Sequence, residues 1–235
     1  GHCPVKNPNK KIFFWNNRNA RRKQSGTVVW WFKEWLDKVG HDKAMLVMHT
    51  DAQDPHGQDL PHLIQHLGLT GQVLLSTQKV APFELAAFYR ACDYTINISD
   101  AEGFGLATLE SLACGTPIIV NMTGGLQEQV TDGKNWFGWG IKPSSKSVIG
   151  SLQVPYIYED RINQQDFESC LTKALKLTKK KYDTLSEAGR QHVLKNYNFE
   201  NYEKNWVKIM DDFIEKNGSW ETRKNYKSWE FMEVA

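Results

Sequence analysis

Short apolar runs recur through the first half of the chain, each followed by a stretch with helical spacing. The runs occupy residues 11–15 (KIFFW), 44–48 (AMLVM), 73–75 (VLL), 94–98 (YTINI) and 117–120 (PIIV). Helical patterns follow at 27–39, 59–67, 82–91 and 105–114, and another helix starts at 126–130. Gly40, Gly68 and Gly115 stand where three of these patterns stop, and Pro82 opens a fourth. Proline fits the first helical position and glycine the position just past the last. Strands this short and this apolar are buried on both faces, as parallel strands joined by helical crossovers are. The alternation predicts an α/β fold, a Rossmann-like doubly wound parallel sheet with helices on both faces. Ligands of such sheets lie beyond the carboxyl ends of the strands. Function is therefore expected in the loops 16–24, 76–81, 99–104 and 121–125.

Beyond residue 141 the pattern breaks. Residues 142–165 are rich in Ser, Gly and Pro and show no period, which predicts a long ordered loop or an inserted element. Helical patterns return at 166–178, 180–196 and 200–216. The expected organisation is a ligand-binding domain over 11–198, with a C-terminal helix and tail over 199–235. Gly1-His2 reads as a tag remnant, with a linker to residue 10, so the chain is expected to begin part-way through a longer protein. The tail from residue 217 holds Trp220, Tyr226, Trp229 and Phe231, aromatic enough to predict packing. Trp30, Trp31 and Trp35 sit at helical spacing and are expected in the core.

The charge balance removes several function classes. Twenty-nine basic residues face 27 acidic ones, a net charge of +2. No global field draws such a chain to nucleic acid or to an anionic membrane, so any anion site must be local. No apolar stretch approaches the roughly 20 residues of a transmembrane helix. The four cysteines form no C-x-x-C pair. Cys92 and Cys114 adjoin apolar runs and read as small buried hydrophobes, which suits a reducing, cytoplasmic setting. His62 and His66 share a helix face without a glutamate partner and read as a surface pair. No metal site and no Ser-His-Asp arrangement is expected.

The sequence Glu102-Gly103-Phe104-Gly105-Leu106-Ala107-Thr108-Leu109-Glu110 follows a strand and opens a helix. Gly103 and Gly105 let a ligand approach the backbone closely. The unpaired N–H groups of the first helical turn, at Gly105, Leu106 and Ala107, then form an anion site suited to phosphate. Eight helical residues rise roughly 12 Å, about the reach from a hexose to a ribose across a diphosphate. Glu102 and Glu110 stand at the two ends of that span, and each carboxylate can accept paired bonds from hydroxyls.

This stretch, read with Ala113-Cys114-Gly115-Thr116-Pro117, Gly124-Gly125 and Glu128, resembles the donor-site signature of glycosyltransferase family 4, retaining enzymes with the GT-B fold. Glu102 and Glu110 match the family's E-x7-E pair. The basic run after the first strand contains Arg18 and Lys23 at the family's Arg-x4-Lys spacing. Val80 aligns with a position that meets the nucleobase. The resemblance covers roughly residues 10–215 and implies the C-terminal, donor-binding half of a GT-B protein. Glu102 would hold the sugar and Glu110 the ribose. Arg18, Lys23 and the helix end would carry the diphosphate of a UDP- or GDP-sugar, with no cofactor and no metal. Pro82, where some guanine-using relatives carry an acid, leans against GDP. The resemblance further implies an N-terminal acceptor-binding domain, a glycan or other hydroxyl acceptor, and a cytoplasmic location, peripheral at a membrane only through that domain. Alone, the chain would bind donor and transfer little. Arg21 and Arg22 read as surface charge. The apolar face of the last helix, with Trp206, Ile209, Met210 and Phe213, would meet the missing domain or fold back. A sugar-nucleotide epimerase of the same fold and a non-catalytic sugar-nucleotide module remain open. A nicotinamide site is disfavoured, because no G-x-G-x-x-G follows the first strand.

Overall fold

The apolar runs become strands in the structure, a computed structural model that describes residues 10–224. Strands β1 (Lys11–Asn16), β2 (Ala44–His49), β3 (Val73–Ser76), β4 (Tyr94–Asn97), β5 (Ile118–Asn121) and β6 (Gly138–Ile141) form one parallel sheet in the order β3-β2-β1-β4-β5-β6. The α/β, doubly wound reading holds. Five strands were expected; the sixth, GWGI, has two glycines and too little apolar length to stand out in sequence.

β1 shows why the sheet needs two helical layers. Phe13 and Trp15 face one side and pack with Phe32 and Trp35 of α1 (Ser25–Val39) and Phe167 and Leu171 of α6 (Gln164–Leu175). Ile12 and Phe14 face the other side, against Tyr89 of α3 (Pro82–Ala91). Both faces of one strand are thus sealed from water, and each large side chain so buried contributes about 1.5–3 kcal/mol. Helix α2 (Leu60–His66) packs on α1, while α4 (Leu106–Ala113) packs on α3 and α5 (Leu126–Val130). Helix starts follow local chemistry: Asp59 accepts the His62 amide at 3.0 Å, and the Glu84 side chain accepts the Ala81 amide at 2.7 Å. Trp30 departs from expectation. It is 54% exposed and donates to Glu34, while Trp35 is buried and donates to Thr172.

β1 pairs with β2 on one side and β4 on the other, so the crossovers diverge between β1 and β4. That switch point is where an open α/β sheet forms a crevice. The 142–165 region contains an antiparallel hairpin of β7 (Ser145–Val148) and β8 (Tyr158–Arg161).

The chain divides into two compact units, Gly1–Val193 and Leu194–Ala235. Helix α7 (Lys179–Asn196) spans their junction in sequence. Within the second unit, α8 (Phe199–Asn217) is capped by Asn198, which accepts the Asn201 amide at 2.8 Å, and buries none of its residues. Trp220 is 84% exposed, with the Arg223 guanidinium 3.9 Å from its ring centroid. Tyr226, Trp229 and Phe231, like residues 1–9, lie outside the described residues. No helix among those described is long and apolar enough to cross a membrane.

Candidate functional site

The Glu102–Gly105 segment links β4 to α4 and is shaped from below. Gly105 has φ +88°, and a Cβ there would lie 2.6 Å from the Leu126 Cδ2. Gly124, at φ +48°, leaves no room at all: a Cβ would sit 1.7 Å from the Glu102 carbonyl oxygen. The Gly125 amide donates to the carbonyls of Glu102 and Gly103 at 3.3 and 3.2 Å. Gln129 donates to the Phe104 carbonyl at 2.6 Å and accepts from the buried Thr108 hydroxyl at 2.5 Å. The loop is therefore fixed on its inner side, while Gly103, Phe104 and Leu106 face outward. No side chain caps the first turn of α4, and no acid lies in it. The amides at Leu106 and Ala107 are placed to receive an anion.

The basic run after β1 coils into a single 3-10 turn, Arg21–Lys23. Lys23 is buried and pairs directly with Glu102. Burial lowers the Lys23 pKa more than Glu102 raises it. Arg22 approaches the same carboxylate at 3.9 Å and donates to the Ala101 carbonyl at 2.7 Å. Arg21 forks onto the buried Glu159 at 2.9 and 2.6 Å. Arg21 and Arg22 are thus not spare surface charge: each is tied to a fixed acceptor. Arg18 lies apart from this group. Its Nε and Nη2 engage Asp54 at 2.6 and 3.2 Å, and Nη2 meets His56 Nδ1 at 3.0 Å. The Arg18 fork and then the His56 backbone amide, which donates to Asp54 at 2.9 Å, hold the Asp54 carboxyl well below the usual range. Nη1 of Arg18 makes none of these bonds.

Glu110 accepts the Tyr89 hydroxyl at 3.0 Å, and that hydroxyl accepts the Asn16 amide at 2.8 Å. This chain ties the exposed acid on α4 to the end of β1. Burial pushes the Tyr89 pKa far up, so the phenol keeps its proton. Val80 is half-buried in the loop after β3, two strands from β1, and shares no hydrogen bond with the other candidates. A cleft of about 360 Å³ is lined by Arg22, Ala101, Glu102, Gly103, Thr123 and Gly124. A larger hollow of about 450 Å³ lies along β6 with Trp136, Trp139 and Lys181, and holds none of these residues. Among the described residues no group of three His, Cys, Asp or Glu could hold a metal ion.

Residues 4–192 match the family model described as glycosyl transferases group 1. The chain belongs to that family. Among relatives, the D-inositol 3-phosphate glycosyltransferase of Paenarthrobacter aurescens is 41% identical over 76 residues, covering 32% of this chain and 18% of the relative. The alpha-monoglucosyldiacylglycerol synthase of Streptococcus pneumoniae is 38% identical over 91 residues, covering 39% and 20%. The sucrose-phosphate synthase of Thermosynechococcus elongatus superposes with a TM-score of 0.67 at 22% identity, over 88% of this chain and 46% of that one. Anabaena HepE, solved with UDP and glucose, gives 0.65 at 16% identity, over 87% and 49%. The chain thus spans less than half the length of the solved structures, and its matched segments cover about a fifth of the curated relatives.

Several residues that shape the cleft are not visible from motifs. Asp100 is buried and is held by Gln24 and by Arg161, the latter at 2.9 Å. Burial pushes its pKa up. Glu159 and Arg161 belong to the irregular region 142–165, in β8. The available signal was a charged trio, Glu159-Asp160-Arg161, closing an uncharged run of residues 147–158. Asp54, Asn16 and Tyr89 carry no local pattern that marks them.

Proposed function

We propose that this chain is the donor-binding half of a retaining, family 4 glycosyltransferase that moves a sugar from a nucleoside diphosphate to an acceptor hydroxyl. The observation that carries the reading is the Lys23–Glu102 pair standing beside the uncapped first turn of α4, across the β1/β4 switch point. A cation, a carboxylate and a helix end converge there, which is what a sugar diphosphate presents partners for. Lys23, the amides at Leu106 and Ala107, and the unengaged Nη1 of Arg18 meet the charge that grows on the leaving diphosphate. Asp54 fixes the rest of the Arg18 fork, so less conformational freedom is lost when it binds. Glu102 accepts bonds from sugar hydroxyls and also keeps Lys23 charged in a buried site. Glu110, oriented by Tyr89, accepts from the ribose. No metal is assigned to the diphosphate in this scheme. UDP is the first donor base to test, since the HepE neighbour was solved with UDP and Pro82 replaces the acid of some guanine-using relatives. The second half of the cleft, with the acceptor site, would come from an N-terminal domain, and the whole protein would work in the cytoplasm.

The test is a thermal-shift panel of UDP, GDP and ADP sugars. A donor at 100 times its dissociation constant should stabilise the fold by about 2.7 kcal/mol. If no nucleotide raises the melting temperature, the donor site is not here. Glu110→Ala should weaken every nucleotide, while Glu102→Ala should erase discrimination between the sugar nucleotide and the bare diphosphate. Equal effects of the two would refute the division of roles.

A further inference from the structure

Strand β8 lies more than 130 residues after the basic turn, yet its three charged residues reach that turn and the segments that follow β4 and β5. Glu159, 3% exposed, takes the Arg21 fork. Asp160 accepts the Thr123 hydroxyl at 2.8 Å, its amide donates to the Asp100 carbonyl at 2.8 Å, and its carbonyl accepts the Asn121 side chain at 2.9 Å. Arg161 bridges Glu159 and Asp100, each at 2.9 Å. The basic turn is held from its other side as well. The Asp100 amide donates to the Arg22 carbonyl at 2.8 Å, and Asp100 accepts from Gln24, the one described non-glycine residue at positive φ (58°).

We infer that Glu159 is a positioning residue for the diphosphate: through Arg21 it fixes the turn that presents Arg22 and Lys23 to the cleft. The inference rests on the donor-site reading above. Two features favour positioning over simple support. First, a buried carboxylate is costly unless paired, and this one is paired by a residue two positions from Lys23 rather than by its own neighbourhood alone. Second, the Arg21 fork is occupied by Glu159, so Arg21 is held off the cleft, while Arg22 lines it and Lys23 reaches the cleft-lining Glu102. The hairpin thus acts as a strap between the turn after β1 and the ends of β4 and β5.

The test compares UDP with UMP, by calorimetry on the whole chain, in wild type, Glu159→Gln and Arg21→Gln. Arg21→Gln removes the same pair from its half-exposed side and serves if Glu159→Gln does not fold. Only the diphosphate extends to the turn, so a displaced turn should cost UDP roughly tenfold or more in affinity and UMP less than about twofold. The double variant should lose no more UDP affinity than Glu159→Gln alone, because Glu159→Gln already removes the pair that Arg21→Gln breaks. A merely structural pair would lower UMP and UDP affinity alike. That result, or unchanged UDP affinity in a folded variant, overturns the inference. Failure of wild type to bind UDP, GDP or ADP would instead sink the donor-site reading.

Discussion

Gly124→Ala should damage this protein out of proportion to one methyl group. The position has φ +48°, where an L residue with a Cβ costs roughly 1–2 kcal/mol. The added Cβ would also fall 1.7 Å from the Glu102 carbonyl oxygen, a backbone atom that cannot rotate away. Forcing such an overlap apart costs about 1–3 kcal/mol in a packed region. Together these give about 2–5 kcal/mol, or roughly 4–20 °C of melting temperature at about 2–4 °C per kcal/mol for a unit of this size. Relief requires the Glu102–Phe104 loop to lift, which moves Glu102 away from Lys23 and breaks the Gly125 amide bonds beneath it. Nucleotide affinity should therefore fall with stability. Gly103→Ala is the control from the same loop: a Cβ there meets nothing within 4 Å. Its stability should change by no more than about 0.5 kcal/mol, while nucleotide affinity still falls because the methyl stands on the ligand side. Thermal melts with and without UDP read both quantities. The reasoning fails if Gly124→Ala melts within about 1 °C of wild type, or if Gly103→Ala destabilises as much as Gly124→Ala does.

Tyr89→Phe should leave the Asn16 amide and the Glu110 carboxylate without their shared partner, costing about 1 kcal/mol of stability. It should also shrink the preference for UDP over 2′-deoxy-UDP, measured by competition binding; an unchanged preference would detach Glu110 from the ribose. Arg21→Gln should flatten the acid limb of the stability curve. Arg21 lowers the folded Glu159 pKa below its usual 4.5, so as pH drops from that value toward the folded one, the unfolded chain takes the proton first and stability falls. Without Arg21 that gap narrows, and urea melts from pH 6 down to pH 3 (roughly the span these carboxylates titrate over) should show a shallower decline. Trp35→Ala should cost about 3–5 kcal/mol, because Trp35 is buried between α1 and the sheet and donates to Thr172. Trp30→Ala, on the exposed side, should change the melting point little, and a comparable loss would contradict the assigned helix face.

How much of this could be read from the chain depends on the sequence distance over which each feature is decided. β1 announces itself because its own alternation, Phe13 and Trp15 against Ile12 and Phe14, already encodes two buried faces. The α4 end is legible for the same reason: Glu102, two glycines and the start of a helix lie within a few residues, so spacing fixes geometry. The ion pairs are different. Arg21 and Glu159 stand 138 residues apart, and Lys23 and Glu102 stand 79 apart. A charged side chain in a loop looks the same in sequence whether it ends in water or on a buried acid, so Arg21 and Arg22 read as surface charge. The hairpin hid behind the same ambiguity, since β7 presents mostly exposed residues and β8 buries a carboxylate, which leaves no apolar alternation to detect. Lys23 shows what the long-range partners change. Spacing alone makes it a free cation waiting for phosphate; the fold makes it a buried lysine, its pKa pulled down by burial and held up by Glu102. A phosphate entering the cleft would return to Lys23 the charge stabilisation that burial removes. Binding of a diphosphate should therefore be coupled to proton uptake at alkaline pH, where unliganded Lys23 begins to lose its proton. Calorimetric titrations in buffers of different ionisation enthalpy measure that uptake, and its absence across the alkaline range would place the diphosphate away from Lys23.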